Sequence, residues 1–334
     1  MYRPNELARF TLAEFRRGLE GLTDEEARTR MRKADGSEMN AISWTAGHIA
    51  GHWLNRPEQL QQFAPGSGDP TPPPLDEMQA ALDEAKTVTD IWLPTADDSL
   101  LSSKPDNLHG ESVGTGVMRA VLHTWFHIGE INAVRQLLGH DEIGFVGEIT
   151  EHLEWRGGGG VDKGYRPDEL ARFAISEFAR GLEGLTAEEA QSRIAKAGGG
   201  EMNAISWIVG HVNTHWLFGY VLMTKKPMPA LDRLYFGAGA DPTPPPLADV
   251  RETLAEATAL TQAWLANVDD ALLSSKRDFG PLPDENLGTQ LMRAVLHTWF
   301  HTGEINAVRQ MLGHAEIPFV GEMLGSLEWR SASA

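Results

Sequence analysis

Apolar residues recur at helical spacing from the first positions of the chain. In ELARFTLAEFRRGLEGL, Leu7, Phe10, Leu12, Phe15 and Leu19 follow a period near that of an α-helix, which predicts helix one with Asn5 as its N-cap. Thr23-Asp24-Glu25-Glu26 fits a capping box and opens a short second helix. A mostly apolar stretch from Ala41 through His52 and beyond predicts a further helix, with Pro57 as a candidate kink. The run Pro72 to Pro74 is extended, because proline fixes φ and turns its predecessor away from the helical region. LDEMQAALDEAKTVTDIW then predicts a third long helix, and the stretch from Ser112 to Leu138 a fourth, closed by Gly139. A last short helix is expected over Phe145 to Trp155. No segment sustains apolar-polar alternation, so the expected fold class is all-α, and long helices with longish connections favour a bundle.

The same pattern then begins again. YRPNELARF at Tyr2 returns as YRPDELARF at Tyr165, and EMNAISW ending at Trp44 returns ending at Trp207. MRAVLHTWFH recurs from Met118 to Met292, and LEWR from Leu153 to Leu327. The offset between copies grows along the chain, so copy two carries a net insertion, chiefly after Trp216 around KKPMPALDRLYFG. RGGGGVDKG lies between the copies, and its Gly157 to Gly160 run reads as a flexible linker. The expected organisation is a first copy over residues 1–156, a Gly-rich linker over 157–164 and a second copy over 165–334. A period this long marks a duplicated domain rather than a solenoid.

Composition narrows the chemistry. With 29 Lys+Arg against 47 Asp+Glu, the formal charge of −18 repels a phosphate backbone, and no basic stripe offsets it, so nucleic acid is not an expected partner. Cysteine is absent, which removes disulfides and thiolate ligands; a nucleophilic sulfur would have to arrive on a second substrate. The opening MYRPNELARF lacks the apolar core of a signal peptide, and no stretch reaches the roughly 18 apolar residues of a membrane span. A cytoplasmic protein without a membrane partner is the expectation.

The chemistry is in the histidines. Ten of the 12 form equivalent pairs across the copies: His48/His211, His52/His215, His123/His297, His127/His301 and His140/His314. Neighbours have changed, Thr45-Ala46 becoming Ile208-Val209, while the histidines have not. His123 and His127 are four apart on a helix, so both rings leave one face and can share a cation. A third ligand has to come from another helix, and His48, with His52 one turn on, lies in an apolar helix that a bundle brings alongside. Three imidazoles with an open position describe a catalytic site. The competing reading, histidines making ordinary hydrogen bonds, is weakened by the second pair and by its repetition. His140 and His314, after the cap glycine, read as complements to the helix dipole. Trp44, Trp53, Trp125 and Trp155 read as core.

SWTAGHIAGHW followed by MRAVLHTWFHIGEINAVRQLLG, and SWIVGHVNTHW followed by MRAVLHTWFHTGEINAVRQMLG, resemble the DinB-like family of metal-binding helical bundles. The resemblance covers both copies and implies an up-down-down-up four-helix bundle, present twice in tandem. It implies a divalent transition metal, zinc or nickel, about one per copy, on His48, His123 and His127 in copy one and on His211, His297 and His301 in copy two. His52 and His215 are not usual ligands in that family, which leaves a fourth ligand or a base beside the metal.

The family is related to thiol-dependent S-transferases and isomerases that use low-molecular-weight thiols such as mycothiol or bacillithiol. The resemblance therefore implies a metal-dependent transferase that activates an external thiol and acts on a small-molecule substrate. In that scheme His52 or Glu130 shuttles a proton and Arg119 steadies a carboxylate, with His215, Glu304 and Arg293 as counterparts; Glu130 could instead orient a ligand imidazole. The alternatives are a metal-dependent hydrolase and a non-catalytic metal-binding or stress-associated protein. Because many relatives pair as homodimers, the tandem chain is expected to be a monomer that reproduces the dimer internally. The insertion in copy two, with Tyr220, Tyr235 and Phe236, is expected to reshape its pocket.

Overall fold

The computed structural model describes residues 2–55, 71–105, 110–144, 149–157, 164–224, 243–276, 285–317, 323 and 327–329. The fold is all-α: among the described residues no strand forms, only isolated bridges such as Tyr2 with Tyr165. In chain order the helices are α1 Pro4–Arg17, α2 Asp24–Arg28, α3 Ile42–Leu54, α4 Leu75–Trp92, α5 Asp98–Ser102, α6 Val113–Leu137 and α7 Ile149–Leu153. They continue as α8 Pro167–Phe178, α9 Ala187–Gln191, α10 Ile205–Thr224, α11 Leu247–Leu265, α12 Asp270–Leu273 and α13 Leu287–Met311.

Most predicted boundaries coincide with local chemistry. Thr23 caps α2, its hydroxyl accepting from Glu26 N at 3.2 Å while the Glu26 carboxylate accepts from Thr23 N at 2.8 Å. Ser112 caps α6, and Gly139, at φ +96°, ends it as expected. Helix one differs: it starts at Pro4, whose missing N–H costs nothing in the first turn, so Arg3 rather than Asn5 is the cap residue. It also stops at Arg17, though Leu19 beyond it is still fully buried. The last short helix of the first half is described over Ile149–Leu153 and ends before Trp155; Phe145 lies outside the described residues, as do Pro57, Gly158 to Gly160, Tyr235 and Phe236. The one-turn helices α5 and α12, capped by Asp97 and Asp269, were too short to leave a period in the sequence.

In the first half, α1 packs on α4 and α6, and α3 packs on the same two helices from the other side. In the second half α8 and α10 each pack on α11 and α13 in the same way. The largest helix-helix interface lies between the halves, where α6 meets α13. That position explains a sequence feature: α6 has almost no polar face because one side is the core of its own half and the other is covered by α13.

Glycine permits this contact. A Cβ on Gly129 would overlap the carbonyl oxygen of Phe300, and one on Gly303 would overlap that of Phe126, so the backbones touch where each helix has no side chain. Each half also sends its terminal tryptophan across: Trp155 covers Gly288, with its backbone N–H donating to Thr289 Oγ1 at 2.8 Å, and Trp329 covers Gly114, its backbone N–H donating to Thr115 Oγ1 at 2.9 Å. Tyr2 donates its hydroxyl to Gly288 O at 3.0 Å, and Tyr165 donates to Gly114 O. These contacts are reciprocal, as a twofold relation between halves requires.

Candidate metal centre

Each half brings its histidines together from two helices. His48 and His52 lie on α3, and His123 and His127 on α6, and both pairs are one turn apart. His123 Nε2 is 3.4 Å from His48 Nε2 and 2.9 Å from His127 Nε2. In the second half His297 Nε2 is 3.2 Å from His211 Nε2 and 3.0 Å from His301 Nε2. Imidazole nitrogens held about 2.0–2.1 Å from one tetrahedral ion are about 3.3 Å apart, so in each half the two contacts to the central ring, His123 or His297, have about the separations of neighbouring ligands.

The donor atoms fit a metal chemically as well. His123 and His297 are held well below the ordinary imidazole range, first by burial and then by the neighbouring histidines, so their ring nitrogens keep lone pairs at neutral pH. Trp44 stacks flat on His48, with ring centroids 5.5 Å apart and planes at 9°, and Trp207 stacks on His211 at 5.4 Å and 10°. Trp44 is buried as the sequence predicted, yet it also fixes the plane of a histidine, which the spacing SWxxGH could have shown.

His52 and His215 stand at the solvent edge of each cluster. The His52 ring centroid is 4.6 Å from that of His48 and 4.7 Å from that of His123; for His215 the distances to His211 and His297 are 4.7 and 4.3 Å. Desolvation of the ring, then the neighbouring histidines, pulls His52 down to about 4 and His215 down to about 3, so both are neutral at physiological pH. The three side chains whose ligand atoms all lie within 4.8 Å of one another are His48, His52 and His123 in the first half and His211, His297 and His301 in the second, so His52 stands in the first set where His301, the counterpart of His127, stands in the second.

Behind the cluster sits a carboxylate. Glu130 Oε2 pairs with His127 Nδ1, and Glu304 Oε2 lies 2.7 Å from His301 Nδ1. This contact leaves Nε2 of each histidine facing the other rings and orients it, as carboxylates do behind metal-bound histidines. Both glutamates are buried, each against an imidazole. A small cavity beside Glu130 is lined also by Asn40, Thr45 and Gln310.

The arginines are engaged. Arg119 grips Glu111 with two nitrogens, Nε to Oε2 at 2.9 Å, and Arg293 grips Glu285 in the same way at 3.2 Å. Sequence reasoning missed both acids, although GESVGTGVMR and DENLGTQLMR place a glutamate eight positions before each arginine. His140 and His314 reach the capping boxes of α2 and α9, at 3.1 Å from Glu26 Oε1 and 3.2 Å from Glu189 Oε1. Two acids from beyond the long helices also approach: Glu316 is pushed up to about 7 by desolvation and then by Glu130, and Glu142 is raised by desolvation and then by Glu304.

Residues 171–305 match the family model described as DinB superfamily. No curated protein and no solved structure matches the chain. Among the described residues no helix is long and apolar enough to cross a membrane.

Proposed function

We propose, from the match of residues 171–305 to the DinB superfamily model, that the chain is a tandem pair of DinB-like bundles, 1–156 and 165–334, each holding one divalent transition metal. The observation that supports this reading is the convergence of histidines from two helices, with His123 Nε2 3.4 and 2.9 Å from those of His48 and His127 and His297 Nε2 3.2 and 3.0 Å from those of His211 and His301, twice in one chain. The ligands are His48, His123 and His127 in the first half and His211, His297 and His301 in the second.

A divalent ion bound there would supply Lewis acidity, lowering the pKa of a bound thiol or water. The chain's own residues do the rest. His52 and His215, neutral and at the solvent edge, are placed to accept a proton from an arriving nucleophile. Glu130 and Glu304 hold the tautomer of His127 and His301. Arg119 and Arg293, one turn before His123 and His297, are the groups we assign to steady a substrate carboxylate, in competition with Glu111 and Glu285. The activity we assign, on the resemblance to thiol-dependent relatives, is that of a transferase activating an external low-molecular-weight thiol, with which the absence of cysteine from the chain is consistent.

The test is metal content by elemental analysis of untagged protein, beside a variant carrying alanine at His123, His127, His297 and His301. About two equivalents of zinc or nickel in the native chain and none in the variant are expected. A native chain that takes up no metal after reconstitution overturns the reading. Turnover that requires an added thiol separates the transferase from a hydrolase, and a monomer mass by sedimentation is expected for the internal pair.

A further inference from the structure

The glutamates behind the histidines do not belong wholly to their own half. Glu130 uses Oε2 for His127, and its other oxygen, Oε1, accepts from Asn306 Nδ2 at 2.5 Å and from Gln310 Nε2 at 3.2 Å, both on α13 of the second half. Glu304 mirrors it: Oε2 serves His301, and Oε1 accepts from Gln136 Nε2 at 3.2 Å, on α6 of the first half. Gln136 is itself anchored on the far side, its Oε1 accepting from Lys196 Nζ at 2.8 Å. All five of these amide and carboxylate side chains are buried, where a hydrogen bond to a charged group is worth most and a lost one costs most.

The close approach at Gly129 and Gly303 brings these groups within reach. Each glycine lies one residue before its glutamate, so the crossing of the two helices sets Glu130 against α13 and Glu304 against α6. We infer that each histidine centre is completed by the opposite half, with Asn306 and Gln310 as positioning residues for the centre built on His127 and Gln136 for the one built on His301. The inference rests on reading the clusters as metal centres, and it makes the two centres interdependent: what fixes a carboxylate fixes the imidazole it holds. It also gives the duplication a reason, since neither half carries the whole support of its own site.

Gln310→Leu and Gln136→Leu test it, because leucine keeps the volume and removes the amide. Zinc affinity is measured by chelator competition at one centre at a time, the other being silenced by alanine at His297 and His301 or at His123 and His127. Gln310→Leu is expected to weaken the first-half centre about tenfold or more and leave the second within about twofold, and Gln136→Leu to do the reverse. Gln310→Asn, which shortens the reach and stays polar, is expected to fall between. Each substitution acting on the centre of its own half, or on neither, overturns the inference. Imidazole nitrogen spectra of the metal-stripped chain give an independent reading: Gln310→Leu should move the His127 resonances and not those of His301. If native protein takes up no zinc, the metal reading fails, and these spectra still decide whether the support crosses.

Discussion

The two histidine centres share every ring and differ in how their supports are held. In the first half the Glu130 carboxylate receives two amide donors, from Asn306 and Gln310. In the second, Glu304 receives Gln136 alone among the described contacts, and Asn132, the counterpart of Asn306, has a side-chain nitrogen with no partner. Asn132 and Asn306 otherwise do the same work, each accepting a backbone N–H after the long helix, Ile143 at 2.8 Å and Ile317 at 2.7 Å. The rims differ too: α3 stops at Leu54, with Asn55 at φ +49°, whereas α10 runs on to Thr224. The histidines and their stacking tryptophans thus recur while the supports and rims have drifted. Identical first contacts with unequal supports predict similar metals bound with unequal affinity.

The largest effect should come from the feature both halves share. Gly129→Ala and Gly303→Ala each place a methyl group on a backbone carbonyl of the partner helix, where no side chain can move aside. Overpacking of this kind costs about 3 kcal/mol or more. Both variants are expected to lower the thermal unfolding midpoint by similar amounts, with a rise in radius by small-angle scattering as α6 and α13 part. If either alanine is accepted within about 0.5 kcal/mol, the helices do not meet as described. A large difference between the two would break the symmetry of the crossing.

The next effect separates the halves. Glu130→Ala orphans two buried amide donors, and Glu304→Ala orphans one, each unsatisfied donor costing about 1–3 kcal/mol. Glu130→Ala should therefore destabilise the metal-stripped chain more than Glu304→Ala, by about the cost of one donor, as read by thermal unfolding. Both should weaken metal binding in their own half about 10- to 100-fold. Equal losses of stability would show that the second amide contributes nothing and that the asymmetry is only geometric.

What the sequence could and could not show follows from what periodicity measures. Spacing located the long helices and the rings of His123 and His127 on one face, because those facts are properties of a single helix. Self-comparison exposed the paired histidines. It could not tell which surface α6 meets: a helix apolar all round is known to be buried, but not whether by its own bundle or by the other copy. For the same reason Gly129 read only as part of a motif, Glu130 kept two candidate roles, and the carboxylate partner of Arg119 went unseen, since Glu111 lies outside the helix that carries the arginine. The crossed amides belong to pairs more than 150 positions apart, beyond any local pattern.

The smallest expected effect is a control in which the halves should agree. Glu26 and Glu189 close equivalent capping boxes, and both carboxyls are held below the usual glutamate value, first by the backbone N–H of Thr23 or Thr186, then by that residue's hydroxyl. A folded pKa below the unfolded one means that the stabilisation is present above about 4.5 and is lost as pH falls through the lower folded value. Glu26→Gln and Glu189→Gln should therefore lower the unfolding midpoint slightly at pH 7, by equal amounts, and the gap to the native chain should close as the pH falls through the lowered folded value. The boxes also receive His140 and His314 from the ends of α6 and α13, so their equality reports whether those ends are seated alike. An unequal pair would place part of the difference between the halves at the helix ends, outside the histidine centres and their amide supports.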